Sequence, residues 1–188
     1  LTLHQGAQID TFPVIRRLQE LLENVDTAGV DLKDLQVRGT LLADAHTRIA
    51  HTAGKYTFEK PLNLPLPDTT LIVKEGSWLD TGTNRHEFEG KVVASDELTT
   101  KIAGKVDTYL AKKTNGLLGG KGSDLVLGPL MEEGRLAIQF TSKGDLAKPK
   151  ADIVTPFGNL SEVIEGGKDT LKTLEGVGKS LLKNLFGK

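Results

Sequence analysis

The side chains best able to do chemistry are few and scattered. The four histidines are His4, His46, His51 and His86. His46 and His51 lie five apart on a strand-like segment, which sends them to opposite faces rather than to one metal ion. Exposed strand histidines are the simpler reading. The adjacent carboxylates Asp96-Glu97 and Glu132-Glu133 fall in stretches that read as polar turns. A general acid/base couple wants two carboxylates in differing, shielded environments. Gly119-Gly120-Lys121-Gly122-Ser123 superficially resembles a phosphate loop, but the spacing fails. Gly116 precedes Lys121 by five, and Gly122 then stands where Ser or Thr is required. Ser123, Ser142 and Ser161 sit in no nucleophile-elbow context. Cysteine is absent, which removes disulfides, thiolate metal sites and cysteine nucleophiles. These residues predict a chain that is not an enzyme, with no catalytic residue, no metal and no cofactor.

At 188 residues the chain is long enough for one well-cored domain, or for one domain with an appendage. Apolar content is 38% and aromatic content 5%, so a core must rest on Leu, Val and Ile. A net charge of −1 supplies no global field for nucleic acid, and no nucleic-acid partner is expected. Nothing approaches the roughly 18 to 20 consecutive apolar residues that span a bilayer. The chain opens on Leu1 without a secretory signal, so the expectation is a removed leader or a piece of something longer.

The elements that must position any site follow from periodicity. Leu1 to Gly6 suggests a short strand. At Asp10-Thr11-Phe12-Pro13, Asp10 or Thr11 can cap a helix and Pro13 suits its first turn. Ile15, Leu18, Leu22 and Val25 then recur on one stripe, predicting a helix over Thr11 to Val25 that stops at Asp26-Thr27-Ala28-Gly29. From Val30 the period changes to two. Leu35, Val37, Gly39 and Leu41 alternate with polar residues. Strand-like runs follow at Thr47-Ile49, Tyr56-Phe58, Leu71 to Trp78 and Phe88 to Val92, and then from Leu98 through Ile102, Gly104 and Val106 to Leu110. Turn residues separate them, which predicts an antiparallel meander. Lys112 to Ser123 reads as an exposed loop. Asp124 to Leu127 and Arg135 to Ser142 suggest further strands, and Lys143 to Lys150 a turn carrying Lys148-Pro149-Lys150.

The closing segment opens on Asn159 and Glu162, spaced as a capping box. Leu160, Ile164, Gly167, Leu171, Leu174, Gly178, Leu181 and Leu185 form a heptad stripe. Four glycines weaken this helix by about 1 kcal/mol each, so it needs a surface to lie on. The expectation is an α+β fold: a mainly antiparallel sheet with an N-terminal helix and a long C-terminal amphipathic helix. Residues 1–157 would form the sheet domain, and 158–188 a helix packed on it or extending from it.

Four short runs carry a family likeness. They are Val37-Arg38-Gly39-Thr40-Leu41, Leu71-Ile72-Val73-Lys74-Glu75-Gly76, Ile102-Ala103-Gly104-Lys105-Val106-Asp107 and Gly144-Asp145-Leu146-Ala147-Lys148-Pro149-Lys150. A short helix precedes them and Leu185-Phe186-Gly187 closes the chain. In this order they resemble the C-terminal region of the AsmA-like bacterial envelope family, which includes AsmA and TamB. Asp145 stands where that family more usually has Thr. The resemblance implies a protein with its bulk in the periplasm, normally anchored by an N-terminal membrane helix. It also implies a curved sheet whose apolar inner face suits phospholipid acyl chains, and a role in lipid transport or outer-membrane biogenesis. It offers no catalytic residues.

On this reading the partners are a phospholipid or a membrane surface. The lipid- or partner-contact candidates in the sheet region are Leu71, Val73, Trp78, Phe88, Val92 and Ile102. In the closing helix they are Leu171, Leu174, Leu181, Leu182, Leu185 and Phe186. The alternative is a structural or protein-interaction module, with the heptad stripe or a sheet edge recruiting a partner. The two separate on whether the inner face is filled by the protein's own side chains or left open.

Overall fold

The computed structural model describes residues 1–10, 12–24, 26–27, 30–113, 122–155 and 158–159. In chain order the elements begin with β1 (Thr2–Leu3), α1 (Pro13–Glu23), β2 (Asp26–Thr27), β3 (Val30–Asp31) and β4 (Ala45–His46). Then come β5 (Ile49–Thr52), β6 (Lys55–Phe58), β7 (Leu62–Pro65), β8 (Thr69–Val73), β9 (Trp78–Asp80) and β10 (Arg85–Ala94). After α2 (Asp96–Lys113) and α3 (Gly122–Leu127) follow β11 (Met131–Glu132), β12 (Arg135–Asp145), β13 (Pro149–Thr155) and β14 (Gly158–Asn159). The fold is α+β, with one large, curved antiparallel sheet and few helices.

Helix α1 forms where the apolar stripe predicts it. Pro13 opens it, while Phe12, in extended conformation, stands at the N-cap without a side-chain cap. The expected cap from Asp10 is therefore not made, and Thr11 lies outside the described residues. Ile15, Leu18 and Leu22 bury one face. Gln19, 1% exposed, is tied on both sides. Its Oε1 accepts the Val37 N–H at 2.8 Å, and its Nε2 donates to Glu23 at 3.1 Å. That bond anchors the segment from Leu35 to Leu41. The segment was expected as a strand, and it does alternate, with Leu35, Val37 and Leu41 buried. It pairs through an isolated bridge from Thr40 to Gln8, around which the Ile9 N–H donates to the Gly39 carbonyl, the Leu41 N–H to the Ala7 carbonyl and the Gly6 N–H to the Leu41 carbonyl.

The large sheet is a meander in the order β14-β13-β12-β10-β9-β6-β5, with β8 and β7 on a branch. The branch arises because β10 is long. β12 pairs with it from Arg85 to Val93, while on its other edge β9 covers Arg85 to Glu87 and β8 covers Gly90 to Ala94. Between those two pairings, Lys74 to Ser77 bulge opposite Phe88 and Glu89. Ser77 repairs the gap: its Oγ accepts the Glu89 N–H at 3.1 Å and donates to the Glu89 carbonyl at 3.3 Å. A buried hydroxyl thus does the work of a backbone peptide. Gly90, beside the seam, lies under the Phe140 ring of the neighbouring strand. A Cβ there would stand 2.6 Å from Phe140 Cζ and closer still to the Ile72 carbonyl oxygen.

Two segments expected as strands are helical. Leu98 to Leu110 belongs to α2, and Asp124 to Leu127 to α3. In α2 the buried residues Leu98, Ile102 and Val106 step by four, a spacing that a period of two also satisfies. The helix start supplies the signal that separates them. Ser95 Oγ accepts the Leu98 N–H at 3.1 Å, and Asp96 and Glu97 occupy the first turn, where the helix dipole favours acids. That pair therefore lies on a helix and not in a turn. Glu132 likewise lies in β11 and pairs with Lys91. Pro149, expected in a turn, opens β13.

The core is one cluster joining α1, α2, the Leu32–Leu41 region and the inner face of the sheet. The expected long C-terminal helix, with Leu171, Leu174, Leu181, Leu182, Leu185 and Phe186, lies outside the described residues. Gly158 and Asn159, at the expected domain boundary, pair with Thr155 and Val154 of β13.

Candidate functional site

Side chains directly opposite one another in an antiparallel ladder share a face, so register alone draws the inner surface. One row runs Leu64, Leu71, Val92, Ile138, and the next runs Leu62, Val73, Gly90, Phe140, Ile153. Further along lie Phe88, Ser142 and Ala151, then His51, Tyr56, Leu79, His86 and Gly144. The first two rows are closed: Leu71, Val92 and Ile153 are 0% exposed, and Ile102 of α2 lies in the same cluster at 1%. In the last two rows the cover is uneven, with Ser142, His86 and Ala151 still buried. Tyr56, Leu79, Phe88 and Gly144 are half-buried, and His51 is exposed. The apolar face continues there while its cover thins.

That end is organised by rings and by one polar couple. Phe88 packs edge-on against Phe58, with centroids 6.1 Å apart, and tilts against His86 at 5.0 Å. Tyr56 stacks on His51 at 4.4 Å. His86, 2% exposed, has its Nδ1 3.0 Å from the Gly144 carbonyl and its Nε2 2.8 Å from Ser142 Oγ. A carbonyl can only accept, so Nδ1 carries the hydrogen. Burial holds the imidazole below its ordinary pKa, against the opposing pull of the Gly144 bond and the Asp145 charge. The ring is therefore neutral near pH 7, and Nε2 accepts the Ser142 hydroxyl hydrogen.

A serine hydroxyl donating to a histidine held through its other nitrogen is also the start of a nucleophile–base pair. Here Ser142 is 0% exposed, and the orienting group is a backbone carbonyl with no charge to stabilise an imidazolium. In this geometry the couple satisfies two buried polar groups within the sheet.

The six sheet-region candidates separate into three groups. Leu71, Val73, Val92 and Ile102 come together, but inside the closed core. Phe88 stands at the thinly covered end. Trp78 is on the opposite face, where its Nε1 donates to Glu87 at 3.2 Å and Lys55 Nζ lies 4.1 Å from the ring centroid. Tyr56, Leu79, His86 and Ser142 were missed as a group, because only strand register brings them together. One signal was present: in Arg85-His86-Glu87-Phe88-Glu89, His86 and Phe88 occupy the inward phase of a charged alternation. Among the described residues no cluster of three or more potential metal ligands is found. No described helix is long and apolar enough to cross a membrane. No family model matches the chain, nor does any curated protein or solved structure.

Proposed function

We propose that the chain is a non-enzymatic lipid-handling module of a bacterial cell envelope, working in the periplasm in phospholipid transport or outer-membrane assembly. The observation that carries this reading is the change of cover along one apolar face. Leu71 and Val92 are sealed, whereas Tyr56, Leu79 and Phe88 face the same way and are half-buried. An acyl chain laid on that end would gain roughly 25 cal/mol for each Å² of apolar surface removed from water. The sealed rows would serve as scaffold. Native mass spectrometry of the gently purified chain, with organic extraction, tests the reading. Stoichiometric phospholipid, lost in Leu79→Asp/Phe88→Asp, is the expected result. A lipid-free mass after incubation with vesicles overturns it.

A second reading rests on the sheet edge. Among the described residues β5 is the terminal strand of the meander, pairing within the sheet with β6 alone. An interaction module would add a partner strand there. Its mark would be a lipid-free chain that captures a partner through backbone pairing and loses it on His51→Pro, since the Ala50 N–H is turned inward to Thr57.

A further inference from the structure

The outward face of α2 carries a shallow trough lined by Lys101, Gly104, Lys105, Thr108, Tyr109 and Lys112. These positions recur at three- and four-residue steps, so they form one stripe, flanking the buried Leu98, Ile102 and Val106. The stripe from Lys101 to Lys112 is about 16 Å long at the helical rise. Among the described residues, nothing beyond its chain neighbours and the helix's own backbone comes within 4 Å of where a Gly104 Cβ would stand, which leaves the trough floor open. Three lysines border it, and one carboxylate, Asp34, lies between Lys101 (3.6 Å) and Lys105. Positive charge therefore gathers on one helix face of a chain whose net charge is −1. Lys101 and Lys105 keep 58% and 44% of their side-chain surface exposed, and Tyr109 is 38% exposed.

We propose that this face docks the chain on an anionic phospholipid surface, with α2 lying along it. Lysines reach a headgroup layer with their ammonium ends while their stems cover apolar surface. Tyrosine suits the same boundary, with an apolar ring and a polar tip. An acidic peptide is a poorer occupant: peptide interfaces are anchored by a side chain in a closed pocket, and this trough is shallow with Tyr109 as its one large ring. A spread of negative charge needs no such pocket. Docking here is separate from lipid uptake beside Phe88, and the two are read by different measurements.

The test is co-sedimentation of the full chain with vesicles of phosphatidylcholine alone and of phosphatidylcholine mixed with phosphatidylglycerol. Binding to the mixed vesicles alone, weakened by salt, is expected. Lys101→Gln/Lys105→Gln/Lys112→Gln should lower partitioning about 100-fold, at about fivefold per lysine. Arginine at the three positions should retain it. Thr108→Glu, which leaves every lysine and the Asp34 contacts in place, should also weaken binding and guards against a misfolded triple variant. Lys143→Gln/Lys150→Gln, on the outer face of the sheet, should bind as the parent does. Equal binding to both vesicle types, an unaffected triple variant, or an equal loss in the sheet-face control overturns the proposal. The mass-spectrometric experiment on bound lipid is unaffected by any of these outcomes.

Discussion

Ile138 and Ser142 sit four residues apart on β12 and face the same way, yet they are held by different physics. Ile138 belongs to the cluster shared with α1 and α2, where stability comes from apolar burial and close packing. Ser142 is held by a hydrogen bond to His86, beside the Phe88 ring. The helix-covered half of the inner face is insensitive to pH and sensitive to volume. The His86 half is built from directional contacts that titrate and that leave apolar surface partly uncovered. One sheet can thus combine a rigid scaffold with a surface suited to a partner, provided that its covering helices stop short.

The sharpest way to break this contrast is at Gly90, where the two halves meet. Gly90→Val should cost about 3 kcal/mol or more, because the Ile72 carbonyl cannot move away. Equilibrium urea unfolding measures it, and a near-neutral result would show that β8 and β12 grip β10 loosely at this point. Next comes the closed half itself. Leu71→Ala or Ile138→Ala should lose about 2 to 5 kcal/mol in the same assay. Phe88→Ala should lose clearly less than either, since it is already half-buried. Equal losses would erase the distinction.

Ser142→Ala should cost about 1 to 3 kcal/mol, as His86 Nε2 is left buried without a donor. His86 also gives the open half a pH signature. Its folded pKa lies below the ordinary 6.5, so the unfolded chain takes up the proton first. Its contribution to stability is complete above about 6.5 and is lost as pH falls through the lower folded value. Unfolding midpoints measured across that window should fall for the parent and stay flatter in His86→Gln. A parallel fall in both would place the titration elsewhere. The smallest effect is expected on the far face, where Lys55→Ala removes a cation–π contact with Trp78 worth about 0.5 to 1 kcal/mol.

The sequence makes the covered half more legible than the open one. The stripe Ile15, Leu18, Leu22 is a local pattern, and α1 forms on it. The alternation in β8 and β10 is equally local, and the meander follows from it. In α2 the buried residues step by four, so strand and helix fit equally well until Ser95 is recognised as the cap. The Tyr56, Leu79, His86, Ser142 set has no local signature, since its members come from four strands and meet only through register. The Ser77 bulge was hidden for a related reason: its hydroxyl answers Glu89, twelve residues away.

In the large sheet most neighbouring strands also follow one another closely in the chain. β6 and β9 pair across the β7–β8 hairpin, and the widest separation is between β10 and β12, for α2 and α3 lie between them and the register joins Arg85 to Asp145. Assembly of this sheet is therefore ordered by loop closure. The hairpins on either side can form early from nearby segments, while joining them requires the helical insert to be drawn in at a larger entropic cost. Compaction of α2 ahead of that union shortens the effective loop. Substitutions that weaken α2 should accordingly slow refolding of the chain, beyond what they take from the stability of the finished sheet.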